Sequence, residues 1–580
     1  MTDRRMLWRM TLIVLVVSGA WTCLAVRLTF LHLGSNELLK ERVRRIRHYE
    51  RELVAPRGRI HDASGTTLAL DLDTKDIIVD PHRILANGQA RAVSRQLSVA
   101  LGVPLAKVEA KVNRPGRRYE YIKQYVQHDQ FEHIERMKLA GVFMEDSSAR
   151  YYPHDAMLCH AIGFANLAGD GCAGVELKLD DLLKGKPGIQ VSERDGRRRE
   201  IYGKRSLEIA AETGCDVFLT VDVNVQYVVE QALQSAVHEH DAKSAWAVVQ
   251  EVKTGRILAM ASLPAFSLNE YRSVGQDELL NRVIGYTYEP GSTMKAAVFA
   301  AAFNEAIVAE DVMVDCEGGT WYYKGRPLRD FHPYGHLSVA DVLKKSSNIG
   351  TAKIALHLGA QRLEEYLRAF GIGRRTGIGL PGEETGVFHS RRNWDSLTIT
   401  RVPMGHAVSV TALQMVAMYS AIANDGKLLR PRIVDLVTNA DGEAVYRSSV
   451  EVVGTPIRPE TSSLMRRLLN RVTEEGGTAR RARVEGYDVA GKTGTAEKVV
   501  NGRYSRDANI ASFAGFLPAD NPELTILVVI DEPNKFHTGG RVAGPVFKEI
   551  AEQIVRYLGI PPGGWGYPLL AKSRSEPAAP

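Results

Sequence analysis

Between Glu289 and Lys295 the sequence reads EPGSTMK, which sets a hydroxyl and an amine three positions apart, ahead of an apolar run, AAVFAAAF. Proline and glycine break the chain before that run. The spacing therefore predicts a buried helix with Ser292 in its first turn, where free backbone N–H groups and the positive dipole end favour developing negative charge. Lys295 falls on the same helix face as Ser292. A lysine in apolar surroundings is held partly neutral and can take a serine proton, which makes the hydroxyl a nucleophile for acyl transfer. The S-x-x-K pattern alone carries little weight, because a chain of this length contains about two by chance.

Two further groups raise its weight. Ser346-Ser347-Asn348 lies 54 residues after Ser292, between an apparent helix over Val339–Lys345 and another over Ile349–Leu358. From such a junction the Ser346 hydroxyl can pass a proton while the Asn348 amide fixes a substrate carbonyl. Lys492-Thr493-Gly494-Thr495 follows Val489-Ala490, which predicts a strand beside the nucleophile. There Lys492 supplies positive charge for a carboxylate, Gly494 lets a ligand approach the backbone, and the Thr495 N–H joins that of Ser292 as an oxyanion hole. Thr493, Gly494 and Thr495 are the expected substrate-binding positions. A KTGT string arises by chance in well under roughly one chain in a hundred of this length.

Other patterns mimic different chemistry. Gly486 to Thr493, GYDVAGKT, satisfies the phosphate-loop pattern, but that loop must open a helix, and Gly494 follows at once. Gly169, Gly171 and Gly174 form a G-x-G-x-x-G with no βαβ context leading into it, so a tight turn explains them. His332 and His336 have a metal-like spacing, yet Pro333 and Gly335 forbid the helix that would align them. Lys253-Thr254-Gly255 precedes the nucleophile and reads as a hairpin turn. The predicted chemistry calls for neither metal nor organic cofactor.

The elements that must position these residues need a large chain, and 580 residues exceed one ordinary core, so two folded domains plus appendages are expected. The net charge of +6 is small against 74 basic and 68 acidic residues and argues against a nucleic-acid partner. Five cysteines are too few for a disulfide framework; Cys159 and Cys172 are the pair close enough to suggest a bridge, with free thiols the default. Met10 to Val26 holds seventeen residues without a charge, extended by Leu28 to Leu33, which predicts a retained membrane anchor over 10–33 after a cytoplasmic tail of 1–9. A cleaved signal peptide would have a shorter apolar region ending in small residues, whereas Trp21 to Leu24 is bulky. Arg4, Arg5 and Arg9 precede the span and Arg27, Lys40, Arg42, Arg44, Arg45, Arg47 and Arg51 follow it, so the positive-inside count alone keeps the bulk of the chain in the cytoplasm. Long downstream domains override that bias, and the chemistry requires residues 35 onward to lie outside.

Asn36 to Glu52 reads as a charged helix, and residues 57 to about 215 as short strands with Gly-rich turns, a non-catalytic pedestal over 34–215. From 216 to 560 the pattern predicts a strand over Val217–Val221, a helix over Asn224–His238 and a hairpin of Trp246–Val252 with Ile257–Ser262. A large helical insertion follows, then strands over Ala511–Leu517 and Leu524–Ile530 and a closing helix over Pro545–Leu558. This is an α+β layering with an antiparallel sheet. Residues 561–580 read as a disordered tail.

The three motifs together resemble those of β-lactamases and penicillin-binding proteins. APRGRIHDASGTTLA (55–69), RYYP (150–153), GCAGVE (171–176), YEPGSTMK, SSNIG, FGIG with GLPGE (370–383) and VAGKTGTAEKV narrow the resemblance to class B penicillin-binding proteins, across nearly the whole chain beyond the anchor. The EPGST lead-in and SSN are most similar to the cell-division branch. His406 and Ala407 stand where septal relatives usually carry an aromatic and a glycine.

What the resemblance implies is a penicilloyl-serine-transferase fold on an elongated pedestal, one transmembrane helix, and D,D-transpeptidase activity. Ser292 would attack the penultimate D-alanine carbonyl of a stem peptide, and a neighbouring stem's amine would resolve the ester. Implied partners are peptidoglycan stem peptides, lipid-linked precursor strands, β-lactam antibiotics, a SEDS-type glycosyltransferase and other division proteins. Two alternatives remain: a carboxypeptidase or β-lactamase that passes the acyl group to water, and a non-catalytic scaffold of the division machinery.

Overall fold

The computed structural model describes residues 2–33, 41, 48–194, 200–201, 205–500 and 503–562. The chain forms two compact units, residues 1–55 with 186–212, and residues 56–185 with 213–580. These divide the chain differently from the expected pedestal and catalytic spans, which follow sequence pattern rather than packing.

In the first unit helix α1 runs over Thr2–Leu33, so the expected tail of 1–9 is helical from its second residue. Its segment Arg4–His32 spans 29 residues with a mean hydropathy of 1.9 and is not buried by any described residue. At 1.5 Å per residue that is about 44 Å, more than the hydrocarbon core of a bilayer. Leu7, Trp8, Leu15, Trp21 and Phe30 are all exposed, as suits a span that lies in an apolar medium. The same unit holds strand His48–Leu53, antiparallel to Gly188–Arg194, which also pairs with Glu200–Ile201 and Leu207–Ile209. The charged helix expected to reach Glu52 is thus a strand from His48 on, because a partner 140 residues away supplies the pairing that local propensity could not signal. Apart from Glu41, the earlier part of that call lies outside the described residues, as does the tail from residue 563.

In the second unit, residues 56–185 are not only strands and turns. Helices Ala90–Leu101, Leu105–Val112 and His128–Met137 pack Val93, Leu97, Leu101, Val108 and Ile134 onto Ile77 and Val79 of strand Thr67–Val79. The signal was present, since Val93, Leu97 and Leu101 recur every fourth residue. The motifs around Arg57, Arg150 and Glu176 meet in one buried charge knot: Arg57 Nε donates to Glu176 Oε2 at 2.6 Å, Arg150 Nε to Glu176 Oε1 at 2.7 Å, and Arg150 Nη1 to Asp71 at 3.0 Å. A Cβ at Gly171 would lie 2.1 Å from the Glu176 carbonyl, so the glycines near 170 serve this turn. Cys159 and Cys172 form no bridge; both are free thiols, Cys159 buried and Cys172 exposed.

The sheet that carries the site lies further on. Its framework, in chain order, is helix α2 (Val223–His240), strands β1 (Ser244–Glu251) and β2 (Ile257–Leu263), helices α3 (Lys295–Asn304), α4 (Val339–Lys345), α5 (Asn348–Leu358) and α6 (Ala412–Ala423), strands β3 (Ala490–Val500), β4 (Arg503–Leu517) and β5 (Leu524–Asp531), and helix α7 (Gly539–Tyr557). The strands order as β2-β1-β5-β4-β3, antiparallel throughout. Both faces are buried, which is why the strands read as continuous apolar runs. With period two, Ala245, Ala247 and Val249 share a core with α2 and α7, while Trp246 and Val248 share another with α3 and α6. Asp216–Leu219 lies outside this sheet, pairing with Val434–Thr438 and, in parallel, with Ile60–His61. Helix α7 starts six residues before the expected Pro545, which it contains, and β4 starts at Arg503, eight residues before Ala511. Proline and a polar stretch both imitate element boundaries.

Candidate active site

Ser292 sits in a 3₁₀ turn, Gly291–Met294, that runs directly into α3. Three glycines let three backbones converge there. Gly291 has φ +57°, and a Cβ on it would lie 2.7 Å from the Thr495 carbonyl of β3. A Cβ on Gly405, φ +77°, would lie 2.1 Å from the Gly291 carbonyl, and one on Gly494 would lie 2.8 Å from the Pro290 carbonyl. The turn is pinned from inside by Thr293 Oγ1, which donates to the Pro290 carbonyl at 2.7 Å, and from α6 by the Tyr419 hydroxyl, which donates to the Thr293 carbonyl at 2.8 Å. No hydrogen bond among the described residues holds the Ser292 hydroxyl, and the residue is half-buried.

Lys295, one turn on, is fully buried. Its Nζ donates to the Ser346 carbonyl at 2.7 Å and Asn348 Oδ1 at 2.8 Å, with Ser346 Oγ at 3.2 Å and the Ser347 carbonyl at 3.3 Å. The junction of α4 and α5 makes this cage: Ser346 caps α4 in the left-handed conformation, φ +61°, and Ser347 caps α5 through Gly350 N. Burial pushes the Lys295 amine down to about 7, and the charge of Asp330 pushes back. A neutral amine has two N–H groups. The two shorter contacts use both and leave the lone pair to accept a proton from a serine hydroxyl.

Strand β3 brings the third motif to the same place. Lys492 is fully buried, with Nζ 3.3 Å from the Thr493 carbonyl and 3.3 Å from Thr493 Oγ1. Burial first, and then the charge of Lys295, hold its amine well below the ordinary lysine range. Thr495 Oγ1 accepts from Gly539 N at the start of α7, 3.2 Å away. Because Lys492 and Thr493 are inside a strand, the phosphate-loop pattern ending at Thr493 opens no helix.

The residues singled out in the sequence therefore meet around one centre: Ser292, Lys295, Ser346 and Asn348 through direct contacts of the lysine cage or its helix, and the Lys492 to Thr495 strand through Gly291 and Pro290. The Asn348 amide is engaged at both ends, its Nδ2 donating to the Arg329 carbonyl at 3.0 Å, so a single amide hydrogen is left for a substrate carbonyl. His332 is in a loop and His336 opens a short strand, and Lys253-Thr254-Gly255 turns β1 into β2.

Two groups have no role assigned from the sequence. Asp330 accepts from Ser347 Oγ at 2.6 Å, from Asn348 N, and from Ile349 N at 3.0 Å. Glu289, three residues before the nucleophile, accepts from His406 Nδ1 at 2.8 Å, from Ala407 N at 2.9 Å and from the Tyr504 hydroxyl at 3.2 Å. The unusual His406-Ala407 pair is thus tied to the nucleophile turn. The acid residue in EPGST was in view, whereas nothing local to Asp330, eighteen residues before Asn348, marks it.

The model of the penicillin binding protein transpeptidase domain matches residues 245–552, and that of the penicillin-binding protein dimerisation domain matches 52–219. The chain belongs to the class B penicillin-binding proteins. It is 32% identical to the probable peptidoglycan D,D-transpeptidase PenA of Neisseria gonorrhoeae, over 96% of this chain and 93% of that one. It is also 32% identical to the peptidoglycan D,D-transpeptidase FtsI of Escherichia coli, over 96% and 92%. Among solved structures, a peptidoglycan synthetase from Bifidobacterium adolescentis superposes with a TM-score of 0.72 at 28% identity, covering 90% of this chain and 99% of that one. Penicillin binding protein 3 of Mycobacterium tuberculosis complexed with aztreonam gives 0.70 at 27%, covering 89% and 98%.

For this penicillin-binding protein the Lys295 cage predicts a pH profile. If the neutral amine is the active form, the rate at which a penicillin acylates the protein rises with pH through an inflection near 7 and flattens above it, because the free-base fraction grows as pH passes the pKa. Rates followed by stopped-flow between pH 5.5 and 9.5 check this; an inflection near about 10, where ordinary lysines titrate, contradicts it.

Proposed function

We propose that this chain is a peptidoglycan D,D-transpeptidase of septal wall synthesis, and that it works through an acyl-enzyme on Ser292. The observation that carries the reading is the Lys295 amine, buried one turn from Ser292 and caged by Ser346 and Asn348, with the Lys492 to Thr495 strand closing on the same turn. In acylation Lys295 takes the Ser292 proton and Oγ adds to the penultimate D-alanine carbonyl. The backbone N–H groups of Ser292 and Thr495 receive the developing oxyanion. The C–N bond breaks, and terminal D-alanine leaves as an amine with a proton passed from Lys295 through the Ser346 hydroxyl, whose Oγ lies 3.2 Å from Nζ. In the second half an amine of a neighbouring stem adds to the ester and loses a proton, and Ser292 leaves as the reprotonated hydroxyl. Lys492, with Thr493 and Gly494, meets the carboxylate of the donor stem or of a β-lactam. That carboxylate favours the charged form of Lys492, so its binding is coupled to proton uptake.

The relatives named peptidoglycan D,D-transpeptidase support the substrate class, and the FtsI likeness supports the septal role. A transferase of this kind takes glycan strands from a lipid-linked polymerase of the SEDS type and works with other division proteins. The apolar α1 supports a single-pass anchor in the cytoplasmic membrane, with the catalytic part outside, where peptidoglycan and its cross-links lie.

Two experiments check this reading. Fluorescent penicillin labels the protein as an ester at Ser292 that persists far beyond a catalytic cycle, seen as one drug mass on the Ser292 peptide. Ser292→Ala abolishes both the label and the ability to support division, with circular dichroism unchanged. Rapid clearance of the adduct with hydrolysis of excess drug would replace the transferase with a β-lactamase, and labelled Ser292→Ala would remove the site. For topology, a reporter that is active only when exported works when fused after Pro580, and a cytoplasmic reporter works when fused before Met1; the reverse pattern overturns the compartment and the substrate.

A further inference from the structure

Asp330 follows strand Arg326–Arg329 and reaches no substrate-bearing motif by sequence, yet its carboxylate sits at the N-terminus of α5. One oxygen takes the Ser347 hydroxyl at 2.6 Å, and the other takes the N–H groups of Asn348 and Ile349, the latter at 3.0 Å. The neighbouring Arg329 carbonyl takes Asn348 Nδ2 at 3.0 Å. Arg329 at the end of that strand and Asp330 after it thus fix both the side chain and the backbone of the residue whose Oδ1 faces Lys295 Nζ at 2.8 Å. A negative charge at the positive end of an eleven-residue helix, accepting from its first N–H groups, is favourable by itself. What distinguishes Asp330 from an ordinary cap is its target, because the turn it holds supplies every hydrogen bond that Lys295 Nζ makes among the described residues.

We propose that Asp330 is a positioning residue for acylation: it holds the Ser346-Ser347-Asn348 turn in register around Lys295 and places a negative charge where the amine changes its protonation. The inference rests on Lys295 as the base of the proposed transferase. Other ionisable groups face this centre. The Cys316 thiol, 3.4 Å from Ser347 Oγ, is pushed up by burial and further by Asp330 against the pull of the Ser347 hydroxyl, so it stays neutral and adds no charge. The Tyr334 phenol is likewise held up, by burial first and then by Asp330. Lys353 on α5 is turned aside to Glu317 at 2.6 Å. On the far side stands Lys492 of β3, whose own amine is depressed by burial and by Lys295. Asp330 is thus the carboxylate that acts on Lys295, in the direction that raises its affinity for a proton.

Without the charge Lys295 loses its proton more readily, so the neutral base persists to lower pH and the acid limb of acylation moves towards acid, while looser packing of the turn lowers the plateau. In the full-length protein, Asp330→Asn is expected to shift the limb of penicillin acylation to lower pH by about one unit and to cut the plateau at least about tenfold, with labelling still at Ser292. Asp330→Ser, which removes the charge and leaves only a hydroxyl on a shorter side chain, gives the same acid shift and serves if the asparagine variant does not fold. Asp330→Glu keeps the limb close to wild type. A lower plateau with an unmoved limb in both uncharged variants means that Asp330 only caps the helix, and overturns the proposal. Failure of the wild-type protein to label at Ser292 sinks the transferase reading itself, a result separate from any shift in the limb.

Discussion

The site depends on one costly arrangement, an amine taken fully out of water with nothing but neutral oxygen atoms in its first contacts. Transfer of a charged ammonium into such a place is penalised by several kcal/mol, on the order of the penalty for other buried ions, and the group responds by giving up its proton. Lys295 lies at that balance point, with burial driving the amine down to about 7 and Asp330 limiting the fall. Burial likewise holds the Lys492 amine well below the ordinary lysine range, and the charge of Lys295 lowers it further. The chemistry of the centre is thereby set: two buried lysines whose amines give up their protons more readily than ordinary ones, one beside the nucleophile and one on the strand a carboxylate would meet.

The rest of the unit reads as the means of keeping that arrangement dry and close. The helix that carries Lys295 is buried along its length from Lys295 to Phe303. β3 can lie against the nucleophile turn because Gly291, Gly405 and Gly494 have no side chain to hold it off. The left-handed Ser346 ends α4 abruptly enough for the carbonyls of Ser346 and Ser347 and the side chains of Ser346 and Asn348 to point at one nitrogen. Glu289 ties in the loop of His406 and the hairpin residue Tyr504, so the outer edge of the site is fixed to the same turn.

Much of this was legible in the sequence, for identifiable reasons. Ser292 and Lys295 could be paired because helical spacing alone puts positions three apart on one face, and the strand with Lys492 because Val-Ala before K-T-G-T has a strand's composition. The hairpin of β1 and β2 and the core strands β4 and β5 showed as apolar runs between turn residues. What escaped depends on partners far away in the chain. The strand from His48 to Leu53 exists through residues 188–194, and a run of charged residues gave no sign of that pairing. The helices between residues 90 and 137 carried a helical period that the glycines around them obscured. Asp330 looks like any loop carboxylate until α5 is folded back onto it. For Cys159 and Cys172 the default of free thiols holds, since closeness in sequence leaves one thiol buried and the other in solvent.

The account turns on the protonation of one amine, which can be observed without any substrate. With ε-¹³C-labelled lysine in the detergent-solubilised full chain, and the Lys295 signal assigned by its loss in Lys295→Arg, an NMR titration reads that amine directly. The account predicts a midpoint near 7 in the unacylated protein. A midpoint near about 10, the range of a solvated lysine, would contradict it and leave Ser292 without the base that the geometry gives it.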